Sequence, residues 1–173
     1  MPTMMNESAD VFAAYRTEPA GKGFFGGAQP GVWPNACRLL DPQAVADVTG
    51  DADSYEESPE KLAFLGARLP LPTVCRYRPN SVDGSLVSVK VVWAAPTNDE
   101  AARIMDRFIE GGGVTQHPGI GDTAAQRTPW QGQQEQTVYF RVGRYIAAVT
   151  VEGLEGRASE LAKQAADGLR RLS

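Results

Sequence analysis

The chain has 173 residues, 42% of them hydrophobic and 22% charged, with a formal net charge of -4 at neutral pH. This is enough chain for one domain of roughly 100 to 150 residues plus a tail, and too apolar for wholesale disorder. Without a clustered Lys and Arg stripe, the acidic balance excludes a phosphate-tracking nucleic-acid surface, and no apolar run reaches the roughly 18 to 20 residues of a membrane-spanning helix.

Residues 1–34 read as a Gly/Pro-rich arm ahead of a single domain at 35–173, because Gly21, Gly23, Gly26, Gly27 and Gly31 with Pro19, Pro30 and Pro34 interrupt any periodic pattern. Phe24, Phe25 and Trp33 are costly to leave in water, at roughly 1.5 to 3 kcal/mol per large side chain. They either pack on the domain or form an aromatic contact surface for a partner. Met1 to Ala20 lacks the charged, apolar and small-residue regions of a signal peptide.

Asp41-Pro42 starts a short helix, with Asp as cap and Pro at the first helical position, and Gly50 stops it. Asp47 to Glu60 holds six acids and no base, which reads as a solvated negative loop. Residues 51–72 are expected to be loop, with a helical turn around Glu60 to Leu65. Strand signals begin at Val74, break at Pro79 to Gly84 and resume from Leu86 to Ala94, a hairpin with Val87, Val89, Val91 and Trp93 on one face. Thr97-Asn98-Asp99-Glu100 is a capping box. The helix after it carries Ala101, Ile104, Met105, Phe108 and Ile109 as one buried stripe and ends at Gly111-Gly112-Gly113.

A loop follows at His117-Pro118-Gly119-Ile120-Gly121-Asp122, then a short strand at Thr123 to Arg127 and a turn holding Trp130. Glu135 to Val142 and Arg144 to Glu152 alternate with period two around Gly143, a second hairpin. The last helix, Arg157 to Leu172, places Ala158, Leu161, Ala162, Ala165, Leu169 and Leu172 on one stripe, and Gly168 weakens it by about 1 kcal/mol relative to Ala. The expected fold is α+β in two layers, an antiparallel sheet of about five strands with about three helices on one face.

Chemistry-bearing residues are few. Cys37 and Cys75 are the two cysteines, and one disulfide is their simplest reading. An even pair suits an oxidising compartment, and a metal site would want further ligands. Two reduced thiols in a cytosolic protein remain the alternative. His117 is the single histidine, Gly119-Ile120-Gly121 is an incomplete dinucleotide fingerprint, and Asp51-Ala52-Asp53 lacks the turn glycine of a calcium loop. No cofactor, no metal and no catalytic residue is therefore assigned. Candidate binding residues are Phe24, Phe25, Trp33 and Trp130, together with Tyr139 and Arg141 on a sheet face left open. Thr137, Ile146, Ala148 and Thr150 share that expected face.

Cys37-Arg38-Leu39-Leu40, Cys75-Arg76-Tyr77, the loop Pro118-Gly119-Ile120-Gly121-Asp122-Thr123-Ala124 and the final hairpin with its Ala-rich helix resemble the soluble domain of small actinobacterial lipoproteins of unknown function. The resemblance spans about Asn35 to Leu172. It implies a cell-envelope location, a Cys37 to Cys75 disulfide and no established catalytic activity. The family's signal peptide and lipid-bearing cysteine have no counterpart in the sequence, so membrane association would run only through a missing anchor. A bridge of this span stabilises by roughly 4 kcal/mol in the chain-entropy model.

The function expected from these readings is a non-catalytic cell-envelope binding or sensor domain, stapled by one disulfide, for an unknown protein or small-molecule ligand. The alternative is an accessory or inhibitory subunit that docks a larger protein through its aromatic N-terminal arm. A small hydrolase or isomerase built on His117 would need a carboxylate within hydrogen-bond reach.

Overall fold

A computed structural model describes residues 33–61, 63–64, 67–68, 71–127, 135–153 and 157–172. In chain order, a 3-10 turn at Ala36–Arg38 precedes α1 (Pro42–Thr49), β1 (Tyr55–Glu60), β2 (Ala63–Phe64), β3 (Ala67–Arg68), β4 (Val74–Pro79) and β5 (Val87–Ala94). Then come α2 (Asn98–Glu110), β6 (Val114–Gln116), β7 (Thr123–Arg127), β8 (Glu135–Val142), β9 (Tyr145–Glu152) and α3 (Arg157–Leu172).

The helix ends follow their caps. Asp41 accepts a hydrogen bond from the Gln43 amide, Pro42 opens α1 and Gly50 closes it at φ 68°. Thr97 accepts from the Glu100 amide at the start of α2, whose Ala101, Ile104, Met105 and Phe108 are buried as the stripe requires.

Among the described residues the sheet has seven antiparallel strands in the order β1-β4-β5-β9-β8-β7-β6, and β2 pairs with β3 separately. The expected five strands are all present. The two additional ones are the edges, β1 and β6, and residues 55–60 form a strand where a loop was expected. Tyr-Glu-Glu-Ser-Pro-Glu carries no apolar alternation because β1 pairs on one side only, and Pro59 and the acids are what an exposed edge tolerates.

The helices also depart from the expected arrangement, since they occupy both faces. Cys75, Val89, Val149 and Val138 stand in one cross-strand row. Their face carries the 3-10 turn, α1 and α3: Cys75 is bonded to Cys37, and Tyr77 donates to the Leu40 carbonyl at 2.8 Å. Residues one step along the strands, Lys90, Ala148 and Tyr139, point the other way. There Phe108 of α2 meets Tyr139 edge-on, with ring centroids 4.7 Å apart.

An amphipathic stripe states that a helix is covered on one side; it does not state which side of the sheet covers it. The register also slips between Val91 and Trp93, so that Val91 aligns with Ala147 but Trp93 aligns with Ile146. A bulge at Val92 therefore turns Trp93 away from the Val87, Val89, Val91 face on which strict alternation placed it.

Gly168 has a purpose that propensity alone conceals. A Cβ there would overlap the backbone carbonyl of Leu39, so the glycine lets α3 seat directly against the chain entering α1. Gly121, at φ 56°, combines a left-handed backbone with a close approach to the Arg141 carbonyl.

Candidate functional site: a groove on the open sheet face

α2 covers only one end of its face. At the other end the even-numbered residues of β4, β5 and β9, with the odd-numbered ones of β8, floor a groove of about 370 Å³. Its middle row follows from the strand register: Arg76 lies opposite Ser88, Ser88 opposite Thr150, and Thr150 opposite Thr137. The two threonine hydroxyls are hydrogen-bonded at 3.0 Å. On one side of this row stand Val74, Lys90 and Ala148, and on the other Glu152 and Glu135, which are themselves directly paired.

The charges of the groove are largely uncompensated within it. Arg76 reaches out to Glu60 of the edge strand at 3.3 Å. Among the described residues Lys90 has no ion-pair partner, and neither does Glu135 or Glu152. Burial pushes the Lys90 ammonium below its ordinary value, and the nearby Arg76 pushes it further, against the pull of Glu60 and Glu135. Burial, then the facing Glu152, raises the Glu135 carboxyl above its ordinary value. Like charges directly opposite in a sheet destabilise it, so this pair is kept at an energetic cost.

The opposite face packs against the 3-10 turn, α1 and α3. Cys37 and Cys75 form a disulfide with Cα atoms 5.1 Å apart, and Cys75 is fully buried. Glu57 approaches the two sulfurs, but both are committed to the bridge and offer no thiolate to a metal. Burial, with Glu57 and Asp41 adding to it, pushes the Tyr77 hydroxyl strongly upward, so it stays a neutral donor to Leu40.

Two carboxylates anchor the loops around the sheet. Asp51 accepts from the Ser85 amide at 2.7 Å, the Ser85 hydroxyl at 2.8 Å and the Tyr55 hydroxyl at 2.9 Å. Burial raises its pKa, but the hydrogen bonds from Ser85 and Tyr55 outweigh that and hold it below its ordinary value. Asp122 accepts from the Gly143 amide at 2.7 Å and pairs with Arg141 and Arg170, and the amide bond, more than the arginines, holds its carboxyl low.

Several candidate residues stand elsewhere than the sequence suggested. Trp33 is 3% exposed and packs edge-on to Trp93 at 5.5 Å, so it belongs to the core and offers no contact surface. Tyr139 is fully buried beneath Phe108, because α2 covers that part of the face expected to be open. Arg141, 15% exposed at its side chain, binds the Gly143 carbonyl and Asp122 at the hairpin end. Ile146 is buried as well.

Thr137, Ala148 and Thr150 do line the groove. Phe24, Phe25 and Trp130 lie outside the described residues. His117 sits at the far edge of the sheet, its Nε2 bound to the Gln126 side-chain oxygen at 2.7 Å, and among the described residues no carboxylate bonds it. Sequence reasoning missed Arg76, Ser88, Lys90, Glu135 and Glu152. The available signal was Ser88 and Lys90 alternating with valines in the middle of a strand that ends up central.

No family model and no curated protein matches the chain. Among solved structures it is similar to the extracellular domain of PknH from Mycobacterium tuberculosis, at 13% identity and a TM-score of 0.49, over 79% of this chain and 95% of that one.

Proposed function

We propose that this chain is an extracytoplasmic, non-catalytic binding domain whose ligand lies in the groove on the open sheet face. The observation that carries the proposal is the groove itself: a concave site of about 370 Å³ on four paired strands, floored by hydroxyls and lined by Lys90, Glu135 and Glu152, which have no ion-pair partner among the described residues. Rigid paired strands hold such groups in place better than loops do. The disulfide supports a location outside the reducing cytoplasm, in keeping with the actinobacterial lipoprotein family that the cysteine motifs resemble. A binding role fits better than catalysis, because His117 is remote from the groove and bonded to an amide.

The test compares protein purified from its native host with a Ser88→Trp variant, which fills the groove floor at a side chain that has no hydrogen bond among the described residues. Wild type is expected to release a small molecule on denaturation, detected by mass spectrometry, and the folded variant to release none. The same molecule released from both would place the ligand elsewhere, and release from neither would count against the reading.

A further inference from the structure

The geometry points to a small zwitterionic ligand in this groove, an ammonium group at the Glu135–Glu152 pair and a carboxylate at Lys90, with its neutral middle across the Ser88, Thr150 and Thr137 row. This deepens the groove reading and rests on it. The argument is one of charge complementarity along the site. On β9, Glu152 at one end is four residues from Ala148, the neighbour of Lys90, which sets the two charged ends about 14 Å apart along the backbone at ~3.4 Å per residue.

The lysine and glutamate side chains shorten that gap, and hydroxyls occupy it. Neither end has an ion-pair partner of its own among the described residues. A purely anionic ligand would meet two carboxylates, and a purely cationic one would meet Lys90 with Arg76 nearby. One molecule carrying both charges relieves both ends together. The directions in which Lys90 and Glu135 are perturbed agree with this, since burial disfavours the charged form of each in the groove.

Calorimetric titration of the oxidised chain with 4-aminobutyrate, 6-aminohexanoate and glycylglycine, against butyrate, butylamine and uncharged butyramide, tests the inference. Zwitterions are expected to bind at least about tenfold more tightly than the singly charged or neutral probes, and Lys90→Met or Glu135→Gln to lose about tenfold each, as removal of one charge-assisted contact implies. Melting curves of the two variants check that they are folded. If butyrate or butyramide binds as tightly as the zwitterions and Ser88→Trp abolishes it, the zwitterion is overturned while the groove stands. Binding that persists in Ser88→Trp overturns the groove as well, and no binding by any zwitterion overturns this inference alone.

Discussion

On one face of the central strands Cys75, Tyr77 and Val89 are fully buried against the 3-10 turn and α1, whereas their sequence neighbours Arg76, Ser88 and Lys90 floor an open groove. The same backbone thus builds two surfaces under opposite rules. The closed face is held by stabilising contacts: the bridge restrains the unfolded chain, and Tyr77 donates to the Leu40 carbonyl. On the open face, half-buried charges and like-charged neighbours oppose stability, which is the expected signature of groups kept for a ligand.

The contrast can be broken or sharpened by substitution. The largest effect is expected from Cys37→Ala combined with Cys75→Ala, which should lower the unfolding free energy in urea by about 4 kcal/mol. Next is Gly168→Ala. At an exposed helix site this change stabilises by about 1 kcal/mol, but against the Leu39 carbonyl it should destabilise by about 1 to 3 kcal/mol, read from the same denaturation curves.

Asp51→Asn should cost about 1 to 3 kcal/mol, because the Ser85 and Tyr55 donors lose a charged acceptor. Asp51 and Asp122 both have folded pKa values below their ordinary 3.8. Their stabilisation is therefore complete above that value and lost as pH falls through the lower folded values. Melting temperature should drop in this acid range, and less steeply in Asp51→Asn.

The smallest effect, with opposite sign, belongs to the groove. Lys90 has a lowered folded pKa, so its penalty is complete below that folded value and fades as pH rises through it towards the ordinary 10.5. Lys90→Met should raise the melting midpoint slightly at pH 7, and a drop would show that Lys90 belongs to the stabilising set.

Much of this arrangement is legible in the sequence. Asp41-Pro42, Thr97 and Gly50 mark helix ends through local hydrogen bonds, and β9 alternates between buried and half-buried residues from Val149 to Glu152, where one face is core and the other lines the groove. What escaped reading is nonlocal. β1 takes its conformation from pairing with β4 and not from its own acidic residues, and the split of helices between faces depends on how the chain crosses the sheet. Thr137 and Thr150 were placed on the open face by alternation, and Tyr139 by the same rule, yet α2 covers only the latter. Gly168 looked like a flaw in a helix because its contact, Leu39, is distant in the chain.

The most direct measurement is a crystal structure of the oxidised protein isolated from its native host without denaturation. A bound small molecule over Ser88 and Thr150, with the Cys37–Cys75 face closed, is the expected result. A ligand held at the His117 edge, or free thiols at Cys37 and Cys75, would contradict the division into a stapled face and a binding face.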